Sequence, residues 1–155
     1  MQKSATQLTS LAQWSQNHIK DIFESPTDED CVRAIDETFC KNVHAVLNGK
    51  PLGLEQIKQS VLAIRKEAHV GLTVEWKHTV EVPASSDYRD GSFGGVYFIH
   101  GIQRLLTGSQ EPAEFVRHKT VTVKIESQST ATDVDSRKIV DLVFVAADIQ
   151  MQVNK

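Results

Sequence analysis

His118 sits in "FVRHKTVTV" and Asp148 in "VFVAADIQ", two alternating stretches that read as neighbouring strands. A carboxylate beside an imidazole orients the ring and raises its pKa, which suits general acid–base work such as isomerisation or dehydration. The plainer reading of the pair is a rim hydrogen bond or two solvated side chains. His78 and His100 share alternation parity with His118, and neutral imidazoles are good zinc ligands. No His-x-His spacing supports a metal site, so none is expected. Trp76, His78, Phe98, His100 and Phe144 form the candidate ligand-binding set. Aromatics at alternate strand positions also build cores, so stacking on a planar ligand competes with simple packing. Trp14 with His18, and Asp36 with Glu37, carry the same ambiguity.

Other chemistries lack their residues. There is no Gly-x-Ser-x-Gly elbow, and neither cysteine has a recognisable histidine partner, so covalent catalysis is not expected. "DGSFGG" has no helix after it and makes no phosphate cradle; it reads as a hairpin turn entering a bending strand. No cofactor is expected.

These groups need strands to position them. From His69 the pattern alternates: Val70, Leu72, Val74, Trp76, His78, Val80 and Val82 share one face of a strand. Three more strands follow over 94–106, 113–126 and 138–151, separated by segments rich in Gly, Pro, Ser and Asp. Before them the period is helical. Leu8, Leu11, Ser15, Ile19 and Ile22 predict a helix over about 5–24. "SPTDED" predicts a second start, with Ser25 as cap, Pro26 in the first turn and three acids at the positive end of the dipole. Its stripe is Val32, Ile35 and Phe39, and it reaches Cys40. Val43, Ala45 and Leu47 then suggest a short strand, Asn48-Gly49 a tight turn, and Leu54, Ile57, Val61 and Ile64 a third helix over about 53–68.

At 155 residues the chain fits one domain, residues 1–155, large enough for one core. A formal charge of -3 with lysine and arginine scattered among acids gives no basic stripe, so nucleic acid is not an expected partner. No run approaches the ~20 apolar residues of a membrane span, and the beginning lacks the apolar run of a secretory signal. Cys31 and Cys40 fall on opposite sides of the predicted second helix and cannot bridge there. Reduced thiols and a cytoplasmic protein are the expectation.

Helix, helix, short strand, Asn-Gly turn, helix and four long strands is an order that resembles the nuclear-transport-factor-2-like (NTF2-like) superfamily. Within it the SnoaL-like proteins, including fungal members, are most similar. Trp14, "CVRAIDETF", "LNGKPLGLEQIKQSVLAIRK" and "GGVYFIHGI" carry the resemblance, which covers nearly the whole chain. It implies an α+β cone, with three N-terminal helices packed on a curved antiparallel sheet that encloses an apolar cavity. It also implies a homodimer through an apolar sheet face. The superfamily holds ketosteroid isomerase-like, scytalone dehydratase-like and polyketide cyclase-like enzymes as well as non-catalytic modules. None of their catalytic aspartate or histidine–aspartate patterns maps onto this sequence, so no catalytic role is carried over.

Hairpins centred near Asp87, Gln110 and Thr132 give a register to test. Trp76 then faces Phe98, His100 faces Thr120, His118 faces Ala146 and Thr120 faces Phe144. One face carries Leu72, Val74, Trp76, His78, Val96, Phe98, His100, Val116, His118, Thr120, Leu142, Phe144, Ala146 and Asp148. The other carries Tyr97, Ile99, Val121, Val123, Val143, Val145 and Ile149. A one-residue slip exchanges the faces. The first set has the composition of a small-molecule cavity, and the second is the expected dimer face. The expected function is binding of a small apolar or aromatic molecule. His118 and Asp148 would act as the acid–base pair of a cofactor-independent isomerase, cyclase or dehydratase; the alternative is a non-catalytic protein-interaction module.

Overall fold

The computed structural model describes residues 7–152. In chain order these form α1 (Leu11–Glu24), α2 (Asp28–Thr38), β1 (Phe39–Leu47), β2 (Lys50–Leu52), α3 (Leu54–Lys66), β3 (Ala68–Pro83), β4 (Gly91–Leu105), β5 (Pro112–Ser127) and β6 (Arg137–Gln150). Three helices pack on one six-stranded sheet of order β2-β1-β6-β5-β4-β3. β3 to β6 form the antiparallel meander expected. β1 instead runs parallel to β6, so the sheet is mixed rather than wholly antiparallel.

The helix starts show how local chemistry sets boundaries. α1 begins where Ser10 Oγ accepts the Gln13 N–H at 3.1 Å. The expected earlier turn includes residues 5 and 6, which lie outside the described residues. Thr27, not Ser25, caps α2, accepting the Asp30 N–H at 3.0 Å. Pro26 forces the residue before it into extended backbone, so Ser25 (ψ 145°) stays outside the helix. The three acids still occupy the first turn. α2 ends at Thr38, earlier than expected, and Phe39 and Cys40 already belong to β1. Both cysteines are free, Cys31 buried on the helix and Cys40 on the strand.

Asn48 and Gly49 adopt positive φ, 49° and 83°, as a tight hairpin turn requires. The Asn48 side chain then extends the ladder past the end of β1. Its amide donates to the Ala146 carbonyl at 3.1 Å and its Oδ1 accepts the Ala146 N–H at 2.9 Å.

Two bulges decide which way side chains point. Near the first hairpin β3 and β4 pair as expected, with His78 opposite Val96, but Lys77 is an extra residue and Trp76 faces Tyr97 instead of Phe98. Near the last hairpin Ile139 faces Ile125 as expected, but Val140 is extra, so His118 faces Ala147 and Phe144 faces Val121. Each bulge reverses the faces beyond it. The hairpin between β4 and β5 turns about two residues earlier than expected, pairing Val96 with Thr120. That displacement is even in register and leaves face parity unchanged. Towards the far end of β4, where the register with β5 shifts, Gly101 adopts positive φ (101°), and a Cβ there would lie 2.4 Å from the Gly71 carbonyl oxygen. Only glycine fits so close an approach.

The core lies between the helices and the concave face. α1 contributes Leu11, Trp14, Ile19, Ile22 and Phe23, and the sheet contributes Phe93, Tyr97, Ile99, Val121, Val123, Ile125 and Phe144. No described helix is long and apolar enough to cross a membrane.

Candidate functional site

β3, bulged at Lys77, points Trp76 into the cone. There it lies against Tyr97, ring centroids 4.6 Å apart, and Phe93, 5.6 Å apart. Gly95 makes room for it, since a Cβ there would meet the indole at 2.7 Å. On β5, Lys119 pairs with Tyr97 on one side and Ala146 on the other, and points inward with Val121, Val123 and Ile125. α1 closes the cavity from above and is fixed to β3 at both ends. Glu81 accepts the Ala12 N–H at 2.7 Å, and Glu24 accepts the Val74 N–H at 3.1 Å. Phe144 on β6 and the face of α3 complete the wall.

The cavity, partly open to solvent, offers ≈ 50 Å³ of room for water centres, space for about four of them. Its wall is almost wholly apolar, and among its lining residues the titratable groups are Lys119 and Tyr97. Lys119 is 9% exposed. Its Nζ sits 4.9 Å from the Phe144 ring centroid, 5.0 Å from Phe23 and 5.4 Å from Tyr97. No described residue gives that nitrogen an ion pair; its partners are ring faces. Burial, reinforced by repulsion from Arg117 and opposed by Asp148, pulls its pKa down to about 7. Burial also raises the Tyr97 phenol. Two further polar atoms of the lining residues, Ser15 Oγ and Trp76 Nε1, are buried without a hydrogen-bond partner among the described residues. Such groups are costly in a dry core and acceptable where something polar visits.

The expected acid–base pair does not form. His118 points to the outer face and stacks on Phe98, centroids 3.8 Å apart and planes 12° apart. Asp148 points inward, bonded to Arg117 at 2.6 and 3.0 Å and to Arg104 at 2.7 Å. The hydrogen bonds from Arg117 lead those that hold its carboxyl down at about 2. A second carboxylate, Glu67 at the end of α3, completes this network by bonding Arg104 at 3.0 Å. It ties three strand ends to a helix.

Of the expected ligand set, Trp76 and Phe144 line the cavity. Phe98, His100 and His78 are displaced to the outer face by the Lys77 bulge, with His100 bonded to Glu75 at 2.8 Å. No group of three or more metal-ligating side chains occurs among the described residues. Trp14 and His18 stack on each other away from the cavity, and Asp36 pairs with Lys58 at 2.7 Å. Lys119 itself escaped the sequence reading, although Val121, Val123 and Ile125 on its parity are far more apolar than Thr120, Thr122 and Lys124. That contrast was the available signal.

Known structures of the same architecture put this cavity in context. A putative isomerase of the SnoaL-like family from Agrobacterium tumefaciens superposes with a TM-score of 0.52 at 10% identity, covering 87% of this chain and 96% of its own. The fold is NTF2-like. A hexachlorocyclohexane dehydrochlorinase, LinA type 2, shares this NTF2-like fold with a TM-score of 0.58 at 10% identity, covering 91% of each chain. An NTF2-like protein of unknown function from Exiguobacterium reaches 17% identity and a TM-score of 0.54, covering 86% of this chain and 98% of its own. We found no protein-family model that matches the sequence and no curated protein that is similar to it.

Proposed function

We propose that this chain binds a small, mostly apolar molecule inside the cone, and that Lys119 addresses the one polar group such a molecule carries. The observation that supports this reading is an amine without an ion-pair partner among the described residues, facing three aromatic rings on the wall of an apolar cavity. A lysine that titrates near neutrality both donates and accepts a proton at physiological pH, which suits isomerisation or dehydration. Lys119 thus takes the acid–base role expected of His118, whose ring lies outside the cavity. The putative isomerase and the dehydrochlorinases among the structural neighbours are consistent with small-molecule chemistry in such a cone. Of the apolar or aromatic molecules expected, the small volume favours a compact apolar one over a large planar aromatic.

The test is a titration of methyl-labelled protein with short-chain alcohols, ketones and carboxylic acids. Saturable shifts confined to cavity methyls such as Ile22, Val121 and Leu142 are expected. Shifts confined to the outer valines would overturn the reading.

The protein-interaction alternative and the homodimer rest on the outer sheet face. Its composition differs from the expected one, because Tyr97, Ile99, Val121 and Val123 are buried inside. Val143, Val145 and Ile149 remain outside at 51%, 61% and 46% exposed, joined by Val80 and Val82 of β3. We propose a second copy of the chain as their cover; sedimentation equilibrium showing a monomer at micromolar concentration would remove that proposal.

A further inference from the structure

We infer that the cavity captures a short-chain aldehyde or ketone as an imine on Lys119. This rests on the small-molecule reading above and specifies its substrate class. An apolar wall disfavours an anionic ligand, whose charge would be stripped of water along with that of the amine. A neutral carbonyl compound brings no such cost, and its carbon is the electrophile to which a lone-pair amine responds.

The cavity holds what the step needs. The Nζ lone pair attacks the carbonyl carbon and a C–N bond forms. The two protons of the neutral amine pass to the carbonyl oxygen, the nitrogen lone pair forms the C=N bond as the C–O bond breaks, and the oxygen leaves as water. Hydrolysis reverses the sequence, and no oxidant or reductant is consumed. Ser15 and Trp76 line the same cavity and each keeps an unpaired donor, Oγ and Nε1, buried just behind its surface. The ≈ 50 Å³ of room suits a carbonyl compound of a few heavy atoms.

The surroundings also keep the amine reactive. Tyr97 faces it from β4, Arg117 stands two residues away on its own strand, and Asp148 lies on β6; α1 and α3 present no ionisable group to the cavity. With its pKa drawn to about 7, Lys119 is half neutral at pH 7. A surface lysine is neutral in roughly one molecule in 2,500 at that pH. This gain runs against the sequence expectation that covalent chemistry is absent, which rested on motif search alone.

Reductive trapping decides the matter on the wild-type full chain. The protein is incubated with propanal at pH 7 in the presence of cyanoborohydride, and the modified lysines are located by peptide mapping. A single propyl group on Lys119, at least tenfold above any other lysine and losing that preference as the pH is raised to 10, is the expected result. Modification spread evenly over surface lysines, with none on Lys119, would overturn the inference. 1-Propanol, which fills the same space without a carbonyl, separates the two levels: cavity methyl shifts with propanol but no trapped propanal reject the imine and leave the binding reading standing. Neither shift nor trapping rejects both.

Discussion

Two buried cations occupy opposite situations in this fold. Arg137 has a fully buried side chain and uses five hydrogen bonds, to both Asp135 oxygens, the Thr9 carbonyl and hydroxyl, and the Tyr88 carbonyl, at 2.7 to 3.1 Å. Lys119, buried nearly as deeply, faces three rings and forms no ion pair among the described residues. The first closes the structure by joining the segment before α1 to the loops ahead of β4 and β6. The second costs the fold stability and closes nothing. A charge whose every proton is bonded explains itself by architecture, whereas an unpaired one on a cavity wall asks for a ligand.

The comparison is sharpest at Arg137. Replacing it with Met leaves Asp135 and two carbonyls without their donors and should destabilise the fold by about 3–5 kcal/mol in urea unfolding. A loss under 1 kcal/mol would mean the bonds are incidental. Lys119→Met should do the reverse and stabilise the fold at pH 7, by roughly 4 kcal/mol. The sign follows from the protons. The folded pKa lies below the unfolded one, so the unfolded state binds more protons between pH 7 and about 10, and wild-type stability must rise with pH across that window. In the Met variant that rise should vanish; a slope unchanged by the substitution would contradict the assignment.

Asp148 tests the link between the arginine network and the cavity. Asp148→Asn should cost about 2 kcal/mol near neutrality and lower the Lys119 pKa further, because the carboxylate is the one that opposes its depression. Its own folded pKa is depressed, so in the wild type this contribution is present above about pH 4 and lost as the pH falls towards 2. Acid unfolding monitored by circular dichroism reads both. The smallest effect belongs to His118→Ala. It removes one half-buried stack on the outer face and should cost about 0.5–1.5 kcal/mol, leaving ligand shifts at the cavity methyls unchanged.

What the sequence made legible was what repeats. The stripe Leu11, Ser15, Ile19 and Ile22, the Asn48-Gly49 turn and the four alternating strands all appear in the structure because period and turn chemistry are local. The faces of β4 and β5 were not legible, because a bulge adds one residue without changing the alternation on either side of it. Lys77 and Val140 look like any other strand residues. Their two reversals cancel on β6, so Trp76 and Phe144 meet inside while the histidines between them point out. β1 pairing parallel with β6 was equally hidden, since the contact joins distant parts of the chain.

The most direct measurement is the titration of the lysine side chains by carbon-detected NMR, following each Cε resonance from pH 5 to 11. One lysine, assigned to residue 119 by its absence in Lys119→Met, should titrate with a midpoint near 7, well below the ordinary lysine value of about 10.4. If residue 119 titrates with the rest, its amine is solvated or paired, and the cavity loses the group on which the proposed chemistry depends.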